Sequence, residues 1–428
     1  MNPIVEELKE RGLLTDSFGN IEEALKPGAY FYVGTDPTSD SLGVHHLVAF
    51  TTARLLQSYG LIPIVLVGTA TCLIGGDPNW KATAREFIPD DVIAHNTECI
   101  TKQIKRIVDF SDGKAILVNN RDWIGKISFI DFLRDVERHI NVSHMLAKES
   151  TKSRLSRDGI GLSMAEFQYS ILQAYDFLHL YKTYGCKIQL GGRDQTSSMD
   201  TGFELARKKE GIKDMTAFVW DLITDSTGKK FGKSEGNAVF LDPKKTTVYK
   251  FYQFWLNQSD EDSAKYIKLF TLIPLGEIKK LIAEHNEAPQ KRLLQRTLAK
   301  YMTELIHGED AYNKAVEASN ILFGKGTTET LKSLDEETLL SVLNDVPKHN
   351  VEREVFEMNV SFIDVAVDCG VTESKTALRK LIKGGGISIN KEKVSSVDAV
   401  LSKDDLLNDK YVLIQQGKKN YQLLIANG

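Results

Sequence analysis

The sequence predicts an α/β fold built on a parallel sheet, followed by a helical block and a compact α+β tail, and three observations carry that expectation. The first lies near the N-terminus. Residues 29–35 (AYFYVGT) form a short β-rich run, an amphipathic helix covers about 43–58, and 61–68 (LIPIVLVG) is a continuous apolar run of strand length. A strand that feeds a helix and returns as a buried strand is the βαβ unit of a doubly wound sheet. The second is helical periodicity with alternating charge, as in KKLIAEHNEAPQKRLLQRTLAKYMTELI, within about 246–345, interrupted by Gly324 and Gly326. The third is the tail. After a polar segment at 345–353, short helical runs at 362–369 and 374–383 flank Gly370, and Gly384-Gly385-Gly386 leads into a strand at 387–390.

The junctions between these elements carry the chemistry. Asp36-Pro37-Thr38-Ser39-Asp40-Ser41 reads as a turn and helix cap, and a strand delivering small polar residues to a helix N-terminus suits an anion. Further on, Lys230-Phe231-Gly232-Lys233-Ser234 follows a strand-like run at 218–224. Two lysines three apart around a glycine can swing over a polyphosphate and offset the charge that builds as it breaks. A Walker loop needs four residues between its first glycine and Gly-Lys-Ser, whereas Gly228 to Gly232 leaves three, so this is no ordinary P-loop. An exposed basic turn is the alternative. On the helix expected over 165–182, Tyr169, Gln173 and Asp176 fall at i, i+4 and i+7 and share a face, while Ile171, Leu172, Tyr175 and Leu178 supply apolar surface. A solvated face or a subunit contact is the competing explanation. Set between Tyr175 and Phe177, the Asp176 carboxylate is expected to be part-buried and to want a donor such as a phenol hydroxyl.

With 428 residues the chain should hold two or three domains and a large core. A net charge of -4 excludes a uniformly basic nucleic-acid binder, so contact with RNA must come from local patches. One such patch is the tail, where residues 374–428 contain ten Lys/Arg against five Asp/Glu; a solvated helix face would look the same. Cys72, Cys99, Cys186 and Cys369 lie far apart, which disfavours zinc and a disulfide framework, and no fixed metal is expected. Residues 1–10 make an acidic amphipathic start rather than a targeting segment, and no apolar run has transmembrane length. The expectation is a cytoplasmic protein without membrane attachment.

Several separated motifs then agree in order and spacing with one family. Asp36 to Leu42, Leu66-Val67-Gly68, Gly76-Asp77-Pro78, Met145-Leu146-Ala147-Lys148-Glu149-Ser150, Gln173 to Leu178, Gly191-Gly192 with Asp194-Gln195, and Lys230 to Ser234 together make the chain resemble the bacterial-type tyrosyl-tRNA synthetases, class I enzymes, from about residue 5 to the C-terminus. The resemblance implies a Rossmann-like catalytic domain at 1–245 with an inserted helical dimerisation stretch near 120–165. It further implies an α-helical tRNA-binding domain at 246–345 and a ribosomal-protein-like RNA-binding module at 354–428. Tyrosine, tRNA and a second copy of the chain are the implied partners, ATP is a substrate, and Mg²⁺ arrives with it. In the family the residues matching Asp176 and Tyr32 read the substrate hydroxyl, those matching Tyr169, Gln173 and Asp77 hold its ammonium, and that matching Gln195 lies near its carboxylate. Asn120 would support this shell, or be a turn asparagine. Thr38 and His46 stand at the helix entrance, Lys81, Arg85, Lys230, Lys233 and Ser234 are assigned to the departing pyrophosphate, and Gly34, Asp36, Gly43, His45, Gly192 and Asp194 to the nucleotide. In the tail, Lys375, Arg379, Lys380 and Lys383 are the implied RNA contacts.

The departures cluster at that site. Where the family has His-Ile-Gly-His, this chain has Gly43-Val44-His45-His46; Arg193 replaces a serine, Thr196-Ser197-Ser198 replaces Trp-Gly-Asn, Val33 replaces a polar side chain, and Gly75 is extra. Either the site has drifted within a working synthetase, with His45 covering for the lost histidine, or the chain is a paralogue that binds RNA or an amino acid with little or no aminoacylation. A donor moved by two residues turns roughly 200° around an α-helix. His45 is therefore expected to miss the lost side chain's position unless the local backbone changes.

Overall fold

The computed structural model describes residues 2–75, 87–148, 151–152, 155, 162–229, 231–234, 237–323, 327–343, 346–417 and 420–427. The chain forms two compact units, one of Met1–Thr246 with Phe254–Ile306, the other of Thr247–Gln253 with His307–Gly428.

In the first unit, strands β1 (Asp16–Phe18), β2 (Tyr30–Thr35), β3 (Ile62–Val67), β4 (Ile116–Asn119), β5 (Ile188–Gly192) and β6 (Thr216–Trp220) make one sheet in the order β1-β6-β5-β2-β3-β4. The last five run parallel and β1 closes the edge antiparallel to β6. Residues 63–67 of β3 are all buried, as an apolar run covered on both faces should be. From β2 the chain winds outward through β3 and β4, then returns to build β5 and β6 on the other side. The order therefore reverses between β2 and β5, and a crevice opens beyond their carboxyl ends.

Helix Met164–Tyr184 spans this crevice. Ser163 caps it by accepting from the Glu166 N–H at 3.2 Å, the Glu166 carboxylate accepts from the Ser163 N–H at 3.0 Å, and Gly185 ends it at φ 70°. Its inward face buries Phe177, Leu178 and Ala174 with Tyr32, Ile64 and Leu66 of the sheet. The same face carries Gln173 and Asp176 inside. Two expected elements differ in detail. The strand expected over 218–224 stops at Trp220, where exposed Asp221 turns out to accept from Arg193 Nε at 2.5 Å. The helix expected from about 43 starts with a 3₁₀ turn, Val44–His46, before the α-helix Leu47–Ser58.

Helices Asp260–Phe270, Leu275–Glu287 and Leu293–His307 follow. The first of them anchors the basic loop. Phe231 inserts among Tyr266, Phe270, Phe254 and Trp255, with ring centroids 4.7, 5.1, 5.4 and 5.6 Å away. Arg11 of the N-terminal helix Pro3–Arg11 is 2% exposed. Its guanidinium donates to the carbonyls of Lys268 (3.0 Å), Thr271 (2.8 Å) and Ile273 (2.8 Å) and pairs with Glu7 at 2.7 Å.

Strands β7 (Lys233–Ser234) and β8 (Asn237–Ala238) form a small antiparallel hairpin of the first unit. The second unit has its own sheet of β9 (Lys348–Glu352), β10 (Ile387–Ile389), β11 (Glu392–Lys393), β12 (Tyr411–Gln416) and β13 (Asn420–Asn427), in the order β11-β10-β12-β13-β9. Alternation along β12 sends Val412 and Ile414 to one face with helices Phe362–Asp368 and Lys375–Lys383. Tyr411 and Leu413 go to the other, against Leu331, Leu339 and Leu343.

Replacing Arg11 by methionine would leave three carbonyls, that of Thr271 buried, without this donor and Glu7 without its partner. Arg11→Met is expected to lower unfolding free energy by about 3 kcal/mol, read by urea denaturation; an unchanged midpoint would show that the carbonyls find water.

Candidate active site

A cleft of about 490 Å³ opens at the switch point of the first unit. Tyr32, Gly34, Asp36, Thr38, Gly43, His45, His46, Tyr169, Gln173, Asp176, Gly192, Asp194 and Gln195 all line it. Thirteen residues scattered over some 160 positions thus meet around one cavity. Asp77, Lys81, Arg85 and Lys230 lie outside the described residues, and Lys233 and Ser234 are placed through their backbone alone, in β7. Lys375, Arg379, Lys380 and Lys383 belong to the other unit and are exposed on helix Lys375–Lys383, where Lys375 pairs with Asp364 at 2.7 Å.

The floor of the cleft is a connected polar network. Asp176, 1% exposed, accepts from Asn120 Nδ2 at 3.1 Å and from Trp123 Nε1 at 2.7 Å. Asn120 also donates to Thr71 Oγ1 (3.2 Å), and Thr71 Oγ1 donates to Asp36 Oδ1 (2.7 Å), whose second oxygen accepts from the Tyr169 hydroxyl at 3.0 Å. Asn120 is fully buried and holds Asp176 from behind rather than lining the cavity. Burial raises the Asp176 carboxyl to about 8, outweighing the two hydrogen bonds that favour its charge, with Asp36 adding to the rise. Desolvation likewise pushes the Tyr32 hydroxyl well above its usual range, helped by Asp176 and Asp36, so Tyr32 remains a phenol donor. Gln173 Oε1 is buried and has no hydrogen-bond partner among the described residues. An acceptor left so in a cleft wall calls for a donor from a ligand.

The opposite half of the cleft is made by two segments tied together. Val44 N–H donates to Val239 O (2.9 Å) and Leu241 N–H to Leu42 O (2.8 Å), so the chain after the basic loop runs along residues 42–44. Gly232 bends at φ +96°. At the end of β5, a Cβ on Gly192 would meet the Asp194 carboxylate and displace it, and Gln195 Nε2 donates to Asp194 at 2.7 Å. Arg193 points away, pairing with Asp221 and, at 3.2 Å, with Asp16. The displaced histidine behaves differently from the expectation drawn on an α-helix. Gly43 is extended (φ -88°, ψ 162°) rather than helical, and the His45 ring stands where a Cβ on Gly43 would go and lies against His46 with centroids 3.9 Å apart.

Three participants were not singled out in the sequence. Trp123 and Thr71 complete the polar floor, and Phe231 fixes the root of the basic loop. Trp123 sits in the Asn119-Asn120-Arg121-Asp122-Trp123 run, but nothing in its spacing points to Asp176, 53 residues away.

Fold and cleft together define a nucleotide-using α/β enzyme of the class I tRNA synthetase kind. Residues 26–324 match the family described as tRNA synthetases class I (W and Y), and residues 339–424 match the tyrosine–tRNA ligase SYY-like C-terminal domain. The chain belongs to the tyrosine–tRNA ligase family. It is 48% identical over 428 residues to the tyrosine–tRNA ligase of Bacteroides fragilis, covering 99% of each chain, and 46% identical to that of Porphyromonas gingivalis with the same coverage. Among solved structures it is similar to a C-terminally truncated mitochondrial tyrosyl-tRNA synthetase of Aspergillus nidulans, at 30% identity and a TM-score of 0.66, covering 75% of this chain and 94% of that one. A tyrosyl-tRNA synthetase of Archaeoglobus fulgidus complexed with L-tyrosine shares the fold, at 18% identity and a TM-score of 0.52 over 73% of this chain and 99% of that one.

The raised Asp176 carboxyl has a consequence for stability. The folded chain keeps its proton up to about pH 8 while the unfolded chain releases it near 3.8, so this group's contribution falls as pH rises across that window and levels off above it. Asp176→Asn, which cannot ionise, is expected to flatten that decline in the ligand-free protein. Melting curves at pH 5 and pH 8.5 test it: an equal shift of native and variant between the two would contradict the assignment.

Proposed function

We infer that the chain activates tyrosine with ATP to tyrosyl-adenylate and transfers the tyrosyl group to tRNA. The observation that carries this inference is the floor of the cleft. A buried carboxyl and a phenol donor, Asp176 and Tyr32, suit a substrate hydroxyl, and the unpaired Gln173 Oε1 on the same helix suits an ammonium. The substrate phenol donates to Asp176 and accepts from Tyr32. Its ammonium donates to Gln173 and to the Tyr169 oxygen, whose own proton is already committed to Asp36, with Asp77 as the third partner. Gln195 stands by the carboxylate.

ATP occupies the other half, along Gly34, Asp36, Thr38, Gly43, His45 and His46 on one wall and Gly192 with Asp194 at the ribose on the other. Mg²⁺ comes with the triphosphate as its counter-ion. A carboxylate oxygen of tyrosine attacks the α-phosphate, the bond to the β-phosphate breaks, and pyrophosphate leaves toward Lys81, Arg85, Lys230, Lys233 and Ser234. A ribose hydroxyl of tRNA then attacks the activated carbonyl and releases AMP. No side-chain nucleophile is needed, so catalysis is positioning plus electrostatic stabilisation.

The functional blocks are 1–245 for catalysis, 246–345 for tRNA through its helices, and 354–428 for RNA. A homodimer forms through the inserted stretch near 120–165, supported by Phe129 (68% exposed), Ile130 (66%) and Val142 (58%). Light scattering giving the mass of one chain would overturn the dimer. No helix among the described residues is long and apolar enough to cross a membrane, and the setting is cytoplasmic. The one feature that favours a paralogue without aminoacylation is the altered 43–46 segment.

Tyrosine-dependent ATP–pyrophosphate exchange tests the central step. Exchange is expected in the native chain. Asp176→Ala, losing a hydrogen bond to a buried group worth about 3 kcal/mol, should lower kcat/KM for tyrosine by on the order of 10²-fold and narrow the gap to phenylalanine. Unchanged discrimination would take Asp176 out of the site.

For RNA, substitutions are cleaner than a cut near residue 350, which would uncover Leu331, Leu339 and Leu343. Arg379→Ala with Lys380→Ala should weaken tRNA binding and reduce the slope of log K against log salt by about 2, measured by filter binding at several salt concentrations. An unaltered slope would mean that this helix does not meet phosphate.

A further inference from the structure

Trp123 gives its Nε1–H to Asp176 at 2.7 Å, yet little in its own element fixes the indole. Its helix, Arg121–Ile124, is four residues long and carries no side-chain cap, and so short a helix has no stability of its own. One hydrogen bond at the ring edge leaves the indole free to swing about that bond. A second contact has to hold its face.

His179 makes that contact. The two ring centroids are 4.3 Å apart and the planes are 15° from parallel, a stacked arrangement. His179 follows Asp176 by three residues on helix Met164–Tyr184, so the two side chains are neighbours on the helix surface. One indole thus meets the long helix at two points, its edge on Asp176 and its face on His179. The imidazole is anchored in turn, because its Nε2 lies 3.4 Å from the Thr183 hydroxyl, one further turn along the helix. Burial, with Lys182 adding to the effect, holds the His179 ring below its usual titration range and so keeps it neutral near pH 7. A neutral ring stacks on the indole without bringing a charge up to the carboxyl.

Trp123 and Asn120 are the two donors that favour the charged, accepting form of Asp176. If the indole moved, a buried acceptor would be left with one donor, and the substrate phenol would meet a less defined partner. His179 is not among the residues that line the cleft. Its route to the ligand runs through the indole.

We propose that His179 is a positioning residue for tyrosine recognition, which stacks on Trp123 and so holds the indole N–H on Asp176. The proposal rests on the function inferred above and deepens it at the hydroxyl end of the site.

Tyrosine affinity is measured by calorimetry without ATP, and specificity by pyrophosphate exchange with tyrosine and with phenylalanine. The proteins are the native chain, His179→Ala, His179→Phe, Trp123→Phe, and His179→Ala combined with Trp123→Phe. Loss of one aromatic stacking contact is worth about fivefold. His179→Ala is therefore expected to weaken tyrosine binding and narrow the preference over phenylalanine by about that factor, with the KM for ATP within about twofold of native. His179→Phe keeps a flat ring over the indole and should recover most of the loss. Once Trp123 is phenylalanine and no N–H remains to be positioned, His179→Ala should cost less than about twofold. A narrowing below about twofold in His179→Ala, no recovery in His179→Phe, or an equal penalty with and without Trp123 would overturn the proposal. Equal losses for tyrosine, phenylalanine and ATP would mean a general loosening of the helix and would overturn it too. Those results leave exchange by the native chain intact and touch this inference alone, whereas a native chain that neither binds tyrosine nor exchanges pyrophosphate would overturn the inferred function and this inference with it.

Discussion

Taking one carboxyl group out of water constrains the whole cleft. Asp176 sits on a helix face that also supplies the apolar core, so burial of Ala174 before it and Phe177 after it carries the carboxyl inward with them. Desolvation then has to be met by donors, and these come from distant parts of the chain: Asn120 and Trp123 directly, Thr71 through Asn120. Asn120 follows β4 and caps the short helix Arg121–Ile124 that carries Trp123, and Thr71 lies in helix Thr69–Leu73 after β3. The carboxyl therefore fixes the relative placement of β3, β4 and the long helix, and the cavity above it inherits that rigidity. Such a floor distinguishes a ligand with a hydroxyl from one without, because a ligand that cannot hydrogen-bond leaves the buried groups short of partners.

The second half of the site depends on a different physical device, an aromatic anchor. The loop proposed to act on the leaving group needs a fixed root. Phe231 supplies the root by packing among four aromatic rings, and Gly232 supplies the bend at φ +96°. The strand-like pairing of residues 239–241 with 42–44 then ties the root to the first turn of helix Leu47–Ser58. The two halves of the cleft are thus built by separate means, burial in one case and backbone pairing in the other, and both converge on the carboxyl ends of β2 and β5.

Much of this was legible in the amino-acid order because it rests on local periodicity. The βαβ succession over residues 30–67, the long helix with Tyr169, Gln173 and Asp176 on one face, and the two tail helices all follow from spacing, and the structure places them within a few residues of the expected bounds. What depends on contact across the fold was not legible. The indole of Trp123 and the hydroxyl of Thr71 reach the floor through the order of strands in the sheet, which no window of sequence displays. The orientation of His45 is of the same kind. A helical step of two residues turns it away from position 43 unless the backbone changes, and here it does: Gly43, paired with Phe240, is extended rather than helical, and the His45 ring stands where a Cβ on Gly43 would go.

The central claim is that the polar floor holds tyrosine by its hydroxyl and its ammonium. A crystal structure of the chain with L-tyrosine tests it most directly. The account predicts the phenol oxygen within hydrogen-bond distance of both Asp176 and Tyr32, the ammonium on Gln173 Oε1, and Asn120 and Trp123 still bonded to Asp176. Tyrosine bound with its ring toward the basic loop, or with Asp176 and Gln173 free of contact to it, would contradict the account.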